Sequence, residues 1–129
     1  MEFYKEVRLD NDVLSLQEHL SIANLSQLCA SIDKVIEDKI SSGAIYCLWG
    51  QFAINREKIK KGIRFSLPDC PNALAWSITR EDDEYDRQIV IHCTINKLQH
   101  EMEFIDSIHD FMGDWEQGLE DFFSTLRAK

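Results

Sequence analysis

The amino-acid sequence predicts an α+β fold: an antiparallel sheet of four to five strands packed with an N-terminal helix and a long C-terminal helix. Three observations carry this expectation. Apolar residues keep helical spacing over 101–129, the middle of the chain alternates with a period of two, and the two kinds of segment do not interleave. A parallel sheet would need helices between its strands, so antiparallel pairing follows. Residues 1–129 are read as a single domain, long enough to bury a core without disulfides or metal, with no internal repeat or linker.

The first element is a short edge strand or a loop over 3–9, where Phe3, Val7 and Leu9 alternate with polar neighbours. A shorter helical or irregular piece carried by Val13, Leu14, Leu16 and Leu20 follows. Residues 24–41 then read as a helix: Leu25, Leu28, Cys29, Ile32, Val35, Ile36 and Ile40 recur at steps of three and four, Asn24 is a candidate N-cap, and Gly43 stands just past the end. Residues 44–54 are rich in β-formers at odd and even positions alike, as in a central strand covered on both faces. A basic connection over 55–61 leads to a strand opened by Gly62, with Ile63, Phe65 and Leu67 alternating until Pro68 and Pro71 frame a turn. Leu74, Trp76 and Ile78 mark the next strand. An acidic hairpin over 81–86 precedes a return strand with Ile89, Ile91, Cys93 and Ile95 on one face and Val90, His92, Thr94 and Asn96 on the other.

The C-terminal helix carries two stripes. Phe104, Ile108, Phe111, Trp115, Leu119, Phe122 and Leu126 form an apolar face that must be buried, while Asp106, Asp110, Asp114, Gln117 and Asp121 recur at the same steps on another face. Like charges one turn apart cost about 0.2–0.5 kcal/mol per pair. The helix tolerates that cost repeatedly where alternating Lys and Glu would have avoided it.

The net charge of −9 disfavours general nucleic-acid binding and anionic membranes, because both partners are polyanions. Residues 1–80 hold ten acids and ten bases, whereas from Glu81 onward there are thirteen acids and four bases, so the second segment holds the whole net charge. Arg56, Lys58, Lys60, Lys61 and Arg64 form a local cationic run, read as a solvated β-connection or as half of a charge-complementary self-association. The first residues lack the cationic and apolar regions of a secretory signal, and the nearly apolar run 44–54 is too short for a membrane-spanning helix. A cytoplasmic protein is expected. Cys29, Cys47, Cys70 and Cys93 have no C-x-x-C spacing and read as reduced thiols, with Cys70, between two prolines, the most exposed.

No phosphate-binding loop, dinucleotide fingerprint, nucleophile elbow or metalloprotease motif is present, and the four histidines lack metal-ligand spacing, so neither a cofactor nor a metal is expected and a non-enzymatic role is favoured. Glu81, Asp82, Asp83, Glu84 and Asp86 of the hairpin lack the central Gly and terminal Glu of a calcium loop. Together with Asp106, Asp110, Asp114 and Asp121 they are the candidate partner-binding residues, one electronegative surface directed at a basic protein. Trp49, Trp76 and Trp115 fall in core-like series. A second reading is a small-molecule-binding or catalytic domain on the polar strand face around Trp49, Ser77, Thr79, His92 and Thr94; a third is a homodimeric structural or regulatory subunit.

A small reduced α+β protein with an acid-rich hairpin over 81–86, an acidic helix stripe and no catalytic motif resembles the immunity proteins that bacteria make against their own secreted or contact-delivered nuclease toxins. The resemblance implies a carboxylate surface that covers the basic, nucleic-acid-binding active site of a toxin. It rests on charge and class rather than on an aligned motif.

Overall fold

The structure, a computed structural model, describes residues 1–9, 16–81, 88–96 and 101–128, with side chains as far as residue 125. Seven strands form one antiparallel sheet: β1 (Glu2–Arg8), β2 (Ile32–Asp38), β3 (Ser42–Cys47), β4 (Gly50–Ile59), β5 (Gly62–Ser66), β6 (Ala75–Arg80) and β7 (Gln88–Thr94). Their order is β1-β7-β6-β5-β4-β3-β2, so β2 to β7 make a continuous meander and β1 joins its far edge beside β7. Two one-turn helices, α1 (Leu16–His19) and α2 (Leu25–Leu28), flank a 3₁₀ turn, and the long α3 (Met102–Ala128) covers one sheet face.

The α+β class stands, but a sheet of four to five strands with an N-terminal helix does not: among the described residues the sheet has seven strands, and the helix expected over 24–41 is instead α2 followed by β2. The reason lies in the register. β2 shifts against β3 between Ile32 and Lys34 and again between Val35 and Glu37. A bulge adds one residue to a strand, so side chains three apart return to the same face. Ile32 and Val35 both point toward the core by this device and imitate a helical period, while Ile36 is left 45% exposed.

The single strand expected over 44–54 is the hairpin of β3 and β4, turning at Leu48 and Trp49 with Gly50 at φ 119°. Apolar residues at both parities were two strands in opposite phase: Ile45 and Cys47 face the core from β3, Phe52 and Ile54 from β4. The basic connection over 55–61 is the second half of β4 and its turn at Lys60 and Lys61. The strands around Phe65, Trp76 and Ile91 lie where the alternation places them.

The core lies between the sheet and α3. Ile63, Phe65, Trp76, Ile78, Ile91 and Cys93 pack under Ile108, Phe111, Trp115 and Leu119, and all are essentially inaccessible. Trp76 meets Phe111 edge-on at 4.9 Å between ring centroids, and Trp115 lies 6.1 Å from Phe65. Leu20, Ile22, Leu25 and Leu28 of the short helical segment extend this core. No described helix is long and apolar enough to cross a membrane.

Candidate functional site

The rotation of α3 about its axis is fixed by contacts on both flanks, and that rotation decides which carboxylates face outward. Near its start, the Trp49 indole donates to Ser107 Oγ at 2.9 Å while its ring packs 5.0 Å from Phe111; Ser107 in turn donates to the Phe104 carbonyl. On the β1 flank, Phe3 meets His109 edge-on and Lys5 Nζ lies 3.5 Å from Glu116. On the other flank the Ser31 hydroxyl donates to Asp114, and Gly118 backs onto Leu28 so closely that any Cβ would strike the Leu28 carbonyl. Phe122 and Phe123 close the far end against the His19 ring.

This arrangement exposes Glu103, Asp106, Asp110, Gln117, Glu120 and Asp121. No Lys or Arg occurs over 101–125, and among the described residues Glu116 is the only helix carboxylate in an ion pair. From Glu103 to Asp121 the acidic face runs about 27 Å at 1.5 Å per residue. Asp106, Asp110 and Asp121 thus lie on one exposed surface, Asp121 accepting from the Gln117 amide. Asp114 is half-buried and turned to Ser31, so its role is to seat the helix.

Glu81 is exposed at the end of β6, its N–H donating to the Gln88 carbonyl at 3.2 Å. Asp82, Asp83, Glu84 and Asp86 lie outside the described residues. The base of their connection and the C-terminal half of α3 occupy the same end of the sheet. Gln17 of α1, whose neighbour His19 packs on Phe122, bonds the Ile59 carbonyl at the β4–β5 turn, and that turn lies beside Arg80.

His92 lies on the sheet face turned away from α3. Strand register sets Tyr4, His92, Ser77, Arg64 and Glu57 in one row across five strands. Tyr4 stacks on the imidazole at 4.3 Å, Glu2 Oε1 lies 3.0 Å from His92 Nε2, and Arg64 pairs with Glu57 at 2.9 Å. No hydrogen bond joins Ser77 to His92, and the Tyr4 hydroxyl donates to Glu2 Oε1 at 3.5 Å. Trp49 is not on this face; it packs against α3. The cationic run is divided by strand alternation: Arg64 joins the open face, while Arg56 turns to α1 and donates to the Leu20 carbonyl at 2.7 Å and to the Gln17 carbonyl. All four cysteines are free, three of them buried and Cys70 half-exposed. Burial pushes the Cys29 and Cys93 thiols up to about 12 and raises Cys47.

No protein-family model and no curated protein matches the chain. Its fold is shared with a crystal structure from Bacillus thuringiensis whose protein is described as uncharacterized. The TM-score is 0.70 at 11% identity, over 95% of this chain and 98% of the other. The likeness shows a shared fold and carries no activity with it.

Proposed function

We propose that this protein is an acidic protein-binding module that neutralises a basic partner, in the manner of an immunity protein covering the nucleic-acid-binding surface of a nuclease toxin. The observation that carries this reading is the outer face of α3, a row of carboxylates over about 27 Å in which, among the described residues, only Glu116 at its margin is in an ion pair. Such a face presents to a basic active site what a polyanion would present, and its field steers encounter. Free, buried thiols support a reducing, cytoplasmic setting. The competing reading, a ligand-binding or catalytic domain around His92, is less well supported, because that histidine stands on an open strand row in contact with Glu2 and Tyr4, and neither described cavity includes it.

The test is capture from extract of the source cell on immobilised protein, eluted with a salt gradient. The wild type is expected to retain a basic protein that leaves as salt rises. The variant Asp106→Lys, Asp110→Lys, Asp121→Lys, with an unchanged circular-dichroism melt, is expected to retain none. Equal retention by both would overturn the proposal. Asp114 is kept out of the variant because it anchors the helix.

A further inference from the structure

The short helical segment and the strands beneath it enclose a cleft that is independent of the α3 reading. Its volume of about 310 Å³ is that of a pocket for a small ligand. Glu18 and Ser21, from α1 and the residue that opens the 3₁₀ turn, stand on one wall. Asp38 and Ile40 of the β2–β3 turn stand on the other with Arg56 and Lys58 of β4.

The walls are tied together at their base. Gln17 Nε2 donates to the Ile59 carbonyl at 2.8 Å, and Arg56 Nε donates to the Leu20 carbonyl at 2.7 Å while its Nη2 donates to the Gln17 carbonyl. The Arg56 N–H donates to the Ser41 carbonyl at 2.8 Å and fixes the β2–β3 turn beside it. These bonds set α1 over β4 without help from a ligand, so binding need not order the walls. Among the described residues they leave Arg56 Nη1 without a partner.

Charge in the cleft is balanced yet unpaired. Two acids, Glu18 and Asp38, share it with two bases, Arg56 and Lys58, in a molecule whose net charge is −9. Among the described residues Glu18 and Lys58 make no ion pair or side-chain hydrogen bond, and the Ser21 hydroxyl makes no capping bond. Asp38 gives Oδ1 to the Ile40 N–H at 2.8 Å and keeps Oδ2. Burial holds the Arg56 guanidinium below its ordinary range and Asp38 acts against that shift, so the two share one field without forming an ion pair. A seat for a simple anion would hold bases alone, and a seat for a cation acids alone. Acids and bases that line one cleft and do not reach each other suit a ligand that carries both signs.

Ile40 supplies an apolar side. Its φ is 75°, and the Ser41 N–H donates to the Lys39 carbonyl around it, closing a three-residue γ-turn on a β-branched side chain that is 75% exposed. Glycine or asparagine would suit that turn better. Isoleucine there places an aliphatic group at the rim of the cleft.

We propose that this cleft binds a small zwitterion of the α-amino-acid class with an aliphatic side chain. Its carboxylate meets Lys58 and Arg56 Nη1, its ammonium meets Glu18 and Asp38, and its side chain lies on Ile40.

Leucine, its single-charge analogues isocaproate and isopentylamine, and glycine, titrated at matched ionic strength and followed by NMR, test this. Leucine is expected to give saturable shifts at Gln17, Ser21, Ile40 and Lys58. Each single-charge analogue is expected to bind roughly tenfold or more weakly, as loss of a charge-assisted bond implies, and glycine to bind more weakly than leucine. Glu18→Gln and Lys58→Met, at exposed positions, are each expected to weaken leucine by a similar factor with an unchanged melt. Ile40→Gly, which relieves the turn, is expected to raise the melting temperature and erase the preference for leucine over glycine. Unsaturable shifts, equal affinity for leucine and either single-charge analogue, or leucine affinity unaltered by Glu18→Gln or by Lys58→Met would overturn the proposal.

Discussion

Two glycines in α3 present the same residue for opposite reasons. Helical Gly costs about 1 kcal/mol against Ala. Gly118 is required because the Leu28 carbonyl occupies the place of its Cβ, whereas nothing lies within 4 Å of a Cβ built at Gly113. Urea titration is expected to show Gly113→Ala stabilised by up to about 1 kcal/mol and Gly118→Ala destabilised, with the α3–α2 contact broken. The buried thiols give a second measurable consequence. Cys29 and Cys93 hold their protons up to about 12 in the folded chain, against an ordinary value of 9.0. Below pH 9.0 both states are protonated and the difference is silent; above it only the unfolded chain ionises, so stability is lost as pH rises toward 12. The urea midpoint is expected to fall across that window, less steeply in Cys93→Ala, and iodoacetamide is expected to alkylate only Cys70 in the native protein at neutral pH.

At the scale of the element, α3 joins a stabilising face to a face that works against it. Asp106, Asp110 and Asp114 repel one another one turn apart, and Asp121 stands in the half where the helix dipole disfavours carboxylates. Asp110→Asn and Asp121→Asn are each expected to stabilise the fold by about 0.2–0.5 kcal/mol at low salt, with the gain shrinking as salt is added. A gain in stability paired with a loss of partner binding is the signature of residues kept for contact. The apolar stripe of this helix was legible because α3 is uninterrupted and keeps its period, whereas of the acidic stripe Asp114 turns inward. β5, β6 and β7 were legible because nothing breaks their alternation. β2 was not, since two bulges gave Ile32 and Val35 a helical spacing, and β3 with β4 was not, since Leu48 and Trp49 offer no common two-residue hairpin signal. The turning of Asp114 inward depends on Ser31, 83 residues away in sequence, and no local pattern announces it.

Across the whole molecule, charge and edges are arranged together. Both outer strands carry ionic residues, Glu2, Lys5, Glu6 and Arg8 on β1 and Asp33, Lys34, Glu37 and Asp38 on β2, and β2 is bulged as well. These features guard a seven-stranded sheet against edge-to-edge pairing with other copies. The strand order also has a temporal consequence. Every pairing from β2 to β7 joins neighbours in the chain and closes a short loop, while β1 must wait for a partner at least eighty residues downstream. Long loops close slowly and late. The meander therefore has the means to assemble first, with the β7 edge open until β1 arrives, and pulse-labelled hydrogen exchange should find the amides of β1 to be the last strand protected during refolding.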